Sequence, residues 1–195
     1  STVSANVDAG FSIVSYTGTG SAATVGHGLN SAPELIIEKR RTATGDWYTQ
    51  FKFGSQEGLL YLDLTNAKDT LTTNITSTLW SIYSTDAVSH IAYAFHSVEG
   101  YSKVGSYTGN GSADGTFVHC GFRPAYVMIK RTNSAANGDW SILDTARGLT
   151  NAVGMHLRAN TSVAELAFGS GIDLVSNGFK IREAANALNS NGSSY

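Results

Sequence analysis

Cysteine, proline, net charge and long apolar runs are all scarce in this 195-residue chain, and each shortage removes a class of explanation. The one cysteine, Cys120 between His119 and Gly121, can form no intrachain disulfide and cannot build a cysteine metal site; it reads as a half-buried strand residue. No segment approaches the ~18 consecutive apolar residues of a membrane-spanning helix. The opening STVSANVDAG has neither the basic start nor the apolar core of a signal peptide, so a soluble domain is expected. Thirteen basic residues against fifteen acidic ones leave a formal charge of −2. That offers no general attraction to nucleic acid or anionic membrane, and neither nucleic-acid binding nor membrane insertion is expected. The densest basic cluster, Lys39, Arg40 and Arg41, closes an apolar run and reads as the solvated end of a strand.

What the chain does have is glycine, 21 residues of it, with nine tyrosines and eight phenylalanines in short apolar patches between turn residues. Such a pattern indicates β-structure. Its most informative feature is an internal repeat. SYTGTGSA at Ser15–Ala22 returns 91 positions later as SYTGNGSA at Ser106–Ala113, and the only two prolines, Pro33 and Pro124, keep the same separation. An apolar run ending in Lys-Arg follows each proline: ELIIEKR at Glu34–Arg40 and AYVMIKR at Ala125–Arg131. Trp47 and Trp140 are 93 apart, because the loop TATGDW lengthens to TNSAANGDW, and loops are where insertions are best tolerated. His27-Gly28-Leu29 corresponds to Cys120-Gly121-Phe122. Two tandem units are expected, residues 1–99 and 100–195.

Each unit has a physical interpretation. The glycines of YTGTG and YTGNG, with the pair Asn110-Gly111, suit a tight β-hairpin turn. Each proline marks entry to a strand, where a missing N–H costs no ladder bond. LIIEKR and YVMIKR are expected to be buried on both faces for most of their length and to emerge into solvent at their charged ends. Further strands are expected at Phe11–Tyr16, Trp47–Phe53, Leu59–Leu64, Leu79–Tyr83 and Ser89–Phe95, then at Val104–Thr108, Gly115–His119, Trp140–Leu143, Met155–Arg158 and Phe179–Arg182. Their spacing is that of a sandwich or jelly roll. A single helical turn is expected at Thr145–Leu149 or Val163–Phe168. The fold class is therefore all-β: two tandem antiparallel β-sandwich units with little helix. Tyr195 aligns with the start of the strand Ser89–Phe95, so the second unit is short of its last strand. An open edge beside Phe179–Arg182 or Val104–Thr108 is expected, filled either by a longer polypeptide or by a neighbouring subunit.

Catalytic chemistry finds little to work with. A glycosidase needs two carboxyl groups about 5 to 10 Å apart; Glu34 and Glu38 share a strand face about 13 Å apart at a rise of ~3.3 Å per residue. His27, His90, His96, His119 and His156 are scattered singly, without metal-ligand spacing. There is no GxSxG elbow, no acidic calcium loop, and GTGSAA lacks the following helix of a phosphate loop. No catalytic residue, cofactor or metal is expected. Trp47 and Trp140 each follow Gly-Asp at a loop exit. They read either as core plugs or as rings that stack on a sugar or a partner, and with Tyr48 they are the candidate contact residues.

The string EGYSKVGSYTGNGSADGTFVHCGFRPAYVMIKR, with Asp144–Arg147, SNGFKIR at Ser176–Arg182 and the NSNGSSY ending, resembles repeated modules of tailed-bacteriophage virion proteins, familiar from marine cyanophages. The resemblance runs from about Gly10 to Tyr195. It implies a lectin-like jelly roll of the concanavalin or laminin-G type, and a component of the virion such as a tail fibre, tail appendage or head decoration. The first unit departs from the pattern between Gly54 and Ile82, where FGSQEGLLYLDL stands and no SNGF occurs. The implied function is self-assembly and surface contact, with other virion proteins and copies of the chain as partners. Two alternatives stand beside it: a carbohydrate-binding module contacting host glycans, and a host-polysaccharide depolymerase.

Overall fold

Short runs that alternate apolar with small or polar residues cannot bury a helical stripe, but as strands they present one apolar face. The computed structural model describes residues 1–83, 86–147, 151–184 and 186–195, with backbone alone at 168–170 and 186. It is all-β and antiparallel, in two units: Ser1–Leu62 with Asp69–Val104, and Asp63–Lys68 with Gly105–Tyr195. The division falls a few residues after position 99, and the segment 63–68 goes to the second unit.

The first unit contains β1 (Thr2–Asn6), β2 (Phe11–Thr17), β3 (Thr24–Gly26), β4 (Leu35–Arg40), β5 (Tyr48–Phe53), β6 (Gln56–Tyr61), β7 (Leu79–Ser81) and β8 (Ser89–Phe95). Six of them form one sheet in the order β1-β2-β8-β4-β5-β6, and β3 with β7 forms a second layer. Between the layers lie Val14, Tyr16, Ile36, Ala92 and Ala94 from the large sheet, and Val25, Trp80 and Ile82 from the small one or its flank. Trp80 is fully buried.

The second unit contains β9 (Phe117–His119), β10 (Tyr126–Lys130), β11 (Trp140–Asp144), β12 (Val153–Arg158), β13 (Leu166–Val175), β14 (Gly178–Ile181) and a single helical turn, α1 (Asn186–Asn189). Its sheet runs β10-β11-β12-β13-β14-β9 and folds over a core of Val127, Ile129, Leu143, Ile172, Leu174, Phe179 and Ile181. Tyr107 and Tyr195 exchange backbone hydrogen bonds at 3.2 and 3.0 Å.

Several pairings of the repeat recur in both units, including where the sequence hides them. Val25 pairs with Trp80 as Val118 pairs with Phe179, and Ile75 bridges Trp80 as Leu174 pairs with Phe179. The His27 N–H donates to the Thr78 carbonyl as the Cys120 N–H donates to that of Asn177. So the counterpart of SNGF is Ser77-Thr78-Leu79-Trp80. Tyr16 stacks on His90 with ring centres 4.9 Å apart, and Tyr107 stacks on Tyr195 at the same distance.

Several expectations are corrected. The glycine turns do not close hairpins: β2 lies in the large sheet and β3 in the small layer, so GTGSA arches from one layer to the other. Gly20 and Gly111 hold φ of +78° and +67° at the turn of that arch, a conformation open to glycine. β4 and β10 are not buried on both faces. Ile36 and Glu38, and likewise Val127 and Ile129, face inward while their neighbours are mostly half-exposed. The charged ends reach solvent only in part: Lys39 and Arg40 are half-exposed and Arg41 is exposed. Glu38 is fully buried, and the Lys130 ammonium donates to the carbonyls of Thr65, Asn66 and Arg131 at 3.0, 2.9 and 3.0 Å. Residues 163–165 are irregular and β13 starts at Leu166, so no helix forms at Val163–Phe168; residues 145–147 make a turn, and 148 and 149 lie outside the described residues. β6 begins earlier than Leu59, and Val104–Thr108 forms no strand, only a bridge from Thr108 to Ser194. The expected open edge is not at Phe179–Arg182, because β14 is flanked by β13 and β9.

Candidate functional site

A cluster of three tyrosines lies in the first unit beside β5 and β6. Tyr48 and Tyr61 are directly paired across those strands, so both rings stand on the same face. Tyr83, two residues beyond β7, closes over them: its ring centre is 4.8 Å from that of Tyr48, and Tyr48 is 5.9 Å from Tyr61. Next to the rings, Gln50, Thr72, Thr73, Asn74, Ser81, Ile82 and Tyr83 line a cleft of about 160 Å³. That is small beside pockets for whole drug-sized ligands, and suits one ring of a larger, surface-bound molecule.

The walls of this cleft are held from behind. The Glu57 carboxylate accepts from both the backbone N–H and the hydroxyl of Thr73, at 3.2 and 3.0 Å, and those bonds hold its pKa below the usual carboxylate range. Lys52 donates to the Thr73 carbonyl at 3.0 Å. Tyr61 donates to Asp69 at 2.7 Å. The Arg40 guanidinium lies 5.8 Å from the Tyr48 ring centre and pairs with Asp86. Burial pushes the Tyr48 and Tyr61 hydroxyls up, so both remain neutral donors. Rings with hydroxyl and amide groups beside them can stack on the apolar face of a sugar and bond its hydroxyls.

Of the residues singled out from the sequence, Tyr48 belongs to this cluster. Trp47, its chain neighbour, points to the other face of the strand and is half-buried, with the Lys39 ammonium 5.7 Å from its ring centre. Trp140 is buried, yet it stands on the sheet face opposite the second unit's core residue Leu143. Trp47 and Tyr48 belong to the first unit and Trp140 to the second. Tyr61 and Tyr83 were missed in the sequence because they are 22 residues apart and meet only across the two layers.

The buried titratable groups are structural. Nδ1 of His27 accepts the Leu29 N–H at 3.1 Å, so its Nε2–H donates to the Thr76 carbonyl, also at 3.1 Å, and burial lowers its pKa. Glu38 and His90 are both fully buried, 3.2 Å apart, and burial likewise lowers His90. Glu34, by contrast, accepts the Ser97 N–H at 2.6 Å, while Glu38 faces the core, so the two carboxylates do not share a groove. Among the described residues, no group of three or more His, Cys, Asp or Glu converges as a metal site would require.

The second unit repeats the framework and not the chemistry. Strand pairing sets Ser141 and Arg158 where the first unit has Tyr48 and Tyr61. Ile129 and Tyr195 replace Glu38 and His90, and Cys120 replaces His27. Fold and cleft together define an all-β protein of two antiparallel sandwich units, one of which carries a cleft beside three clustered tyrosines. The chain belongs to the family described as a domain of unknown function, DUF7483, whose model matches residues 1–195. Comparison with curated proteins and with solved structures gives no match.

Proposed function

We propose that the chain is a non-enzymatic structural and adhesive module of a tailed-bacteriophage virion, a tail fibre, tail appendage or head decoration of lectin-like jelly-roll type. It acts by assembling with other virion proteins and with copies of itself. One observation carries this reading: the two units share the pairing of Val25 with Trp80 and of Val118 with Phe179, and the ring stacks of Tyr16 and Tyr107, while the polar groups set on that framework differ from one unit to the other. Repetition of scaffold without repetition of a site suits a protein whose work is spacing and contact. The cleft lining also holds no carboxylate, whereas a depolymerase acting there needs two about 5 to 10 Å apart. Antibody against the chain, imaged on intact phage particles, is expected to decorate one fixed part of the virion. Particles that stay undecorated while infected-cell lysate is labelled reject the reading.

The tyrosine cleft favours a second reading, contact with a host-surface glycan. Soluble chain is expected to bind oligosaccharides from the host envelope, and Tyr83→Ala to weaken that binding about tenfold, the share of one stacking ring. Because Tyr83 is 39% exposed, the variant's melting temperature should hardly move. Equal binding by variant and parent rejects the site.

A further inference from the structure

Segment 63–68, which belongs to the second unit, lies over the outer face of β10 and β11. The Lys130 ammonium donates to the carbonyls of Thr65 and Asn66, and the Lys68 N–H donates to the Thr132 carbonyl at 2.7 Å. Trp140 is directly paired with Lys130, and the two are 4% and 5% exposed. Gly138 leaves room for the segment, since a Cβ there would stand 2.3 Å from the Thr65 carbonyl oxygen. Leu64 and Ala67 are half-buried while Thr65 and Asn66 are exposed, so the main chain makes the polar contact.

The chain holds a second version of each partner. Lys39, Arg41, Gly45 and Trp47 occupy in the first unit the places of Lys130, Thr132, Gly138 and Trp140. Glu38 faces the core and pairs with Tyr48, so by alternation Lys39 and Trp47 share the outer face, where both are half-buried. Among the described residues the Lys39 ammonium donates to the Gly45 carbonyl of its own loop and to no carbonyl of a covering segment. Residues 63–68 likewise recur as 160–165. Each stretch follows an N–H bond to a tryptophan carbonyl, Leu62 to Trp47 and Ala159 to Trp140. Each ends at a residue paired with the neighbouring strand, Asp69 with Leu59 and Leu166 with His156. Residues 161–165 are exposed throughout.

We infer that segment 160–165 of one copy of the chain docks on the outer face of β4 and β5 of another, head to tail. The carbonyls of Ser162 and Val163 meet the Lys39 ammonium as those of Thr65 and Asn66 meet Lys130. The Glu165 N–H meets the Arg41 carbonyl as that of Lys68 meets Thr132. Charge favours this occupant. The contact sets Glu165, paired with Arg147 at 3.0 Å and still 41% exposed, beside the exposed Arg41. Ammonium bonds to main-chain carbonyls are charge-assisted and indifferent to side chains, so the two segments need not share a sequence. Because the two surfaces differ, the contact is heterologous and repeats from copy to copy. It rests on the assembly part of the proposed function and deepens it, by naming which surfaces of two copies meet.

Sedimentation of the purified full chain tests the contact. The parent should form oligomers that lengthen with concentration, and in them exchange of the Glu165 amide should slow. Arg41→Glu alone and Glu165→Lys alone each set like charges against one another and should weaken association about tenfold. An equimolar mixture of the two variants should restore it, because every face then finds a segment of opposite charge. Loss of the Glu165–Arg147 pair cannot produce that rescue. A parent that stays monomeric at millimolar concentration overturns the inference, as does a dimer that stops growing, since its contact would be two-fold. So do oligomers whose Glu165 amide is unprotected, or a mixture that associates no better than its components. Labelling of virions is independent of all these results, so a wrong location and a wrong contact are told apart.

Discussion

Glu38 and His90 sit 3.2 Å apart in a core from which water is excluded, and at the matching places the second unit has Ile129 and Tyr195. A buried pair is costly to break and cheap to replace by apolar groups of similar size. His90→Tyr alone should therefore cost about 3–5 kcal/mol, because it leaves Glu38 buried without its imidazole. Glu38→Ile with His90→Tyr should recover most of that, since the other unit already packs this combination against an equivalent tyrosine. A double-mutant cycle by urea denaturation reads the difference. His27 gives a pH prediction. Its folded pKa lies below the unfolded value near 6.5, so the unfolded chain takes up the proton first as pH falls. Stability is full above about pH 6.5 and declines by about 1.4 kcal/mol per pH unit down to the folded pKa. Denaturation curves between pH 8 and 5 check the slope, and His27→Gln should reduce it, leaving the part that His90 contributes with the same sign.

The interlayer arch makes its demand on the backbone at Gly18 and Gly109. A Cβ on Gly18 would stand 1.9 Å from the Asp86 carbonyl oxygen, and one on Gly109 2.4 Å from that of Ser190. Neither contact can be relieved by turning a side chain. Gly18→Ala and Gly109→Ala should each lose about 1–3 kcal/mol, the cost of forcing extra volume into a packed site. The two units also differ in the strand that follows β12. β13 is ten residues long and joins β12 to β14, whereas in the first unit its counterpart is reduced to the bridges Leu59–Asp69 and Ile75–Trp80. The intervening residues 71–74 instead form the cleft wall, fastened by Glu57. Glu57→Ala should speed exchange of the Thr73 amide while leaving the melting temperature nearly unchanged, because the carboxylate is partly exposed.

At the scale of the molecule the two cores have no residue in common. Trp80→Ala, which empties the centre of the first, should cost about 3–5 kcal/mol and accelerate exchange in β2, β4 and β8. Amides of β13 and β14 should keep their protection. Uniform acceleration in both units would mean that they unfold as one.

Periodicity was enough to define the β class and most strands, because alternating burial is written in neighbouring residues. β8 at Ser89–Phe95 was legible to the residue, since its alternation is undisturbed. β1 was not, for Thr2–Asn6 is exposed along its length and shows no apolar stripe; nor was β13, whose glycines interrupt its pattern. Glu38 and Lys130 were taken for solvated ends because a charge in sequence carries no sign of the imidazole or carbonyls that will meet it. Which layer the first glycine turn leads to and which tyrosines gather beside the cleft were decided only by the tertiary structure. Each depends on hydrogen bonds and packing between segments tens of residues apart, which local sequence does not encode.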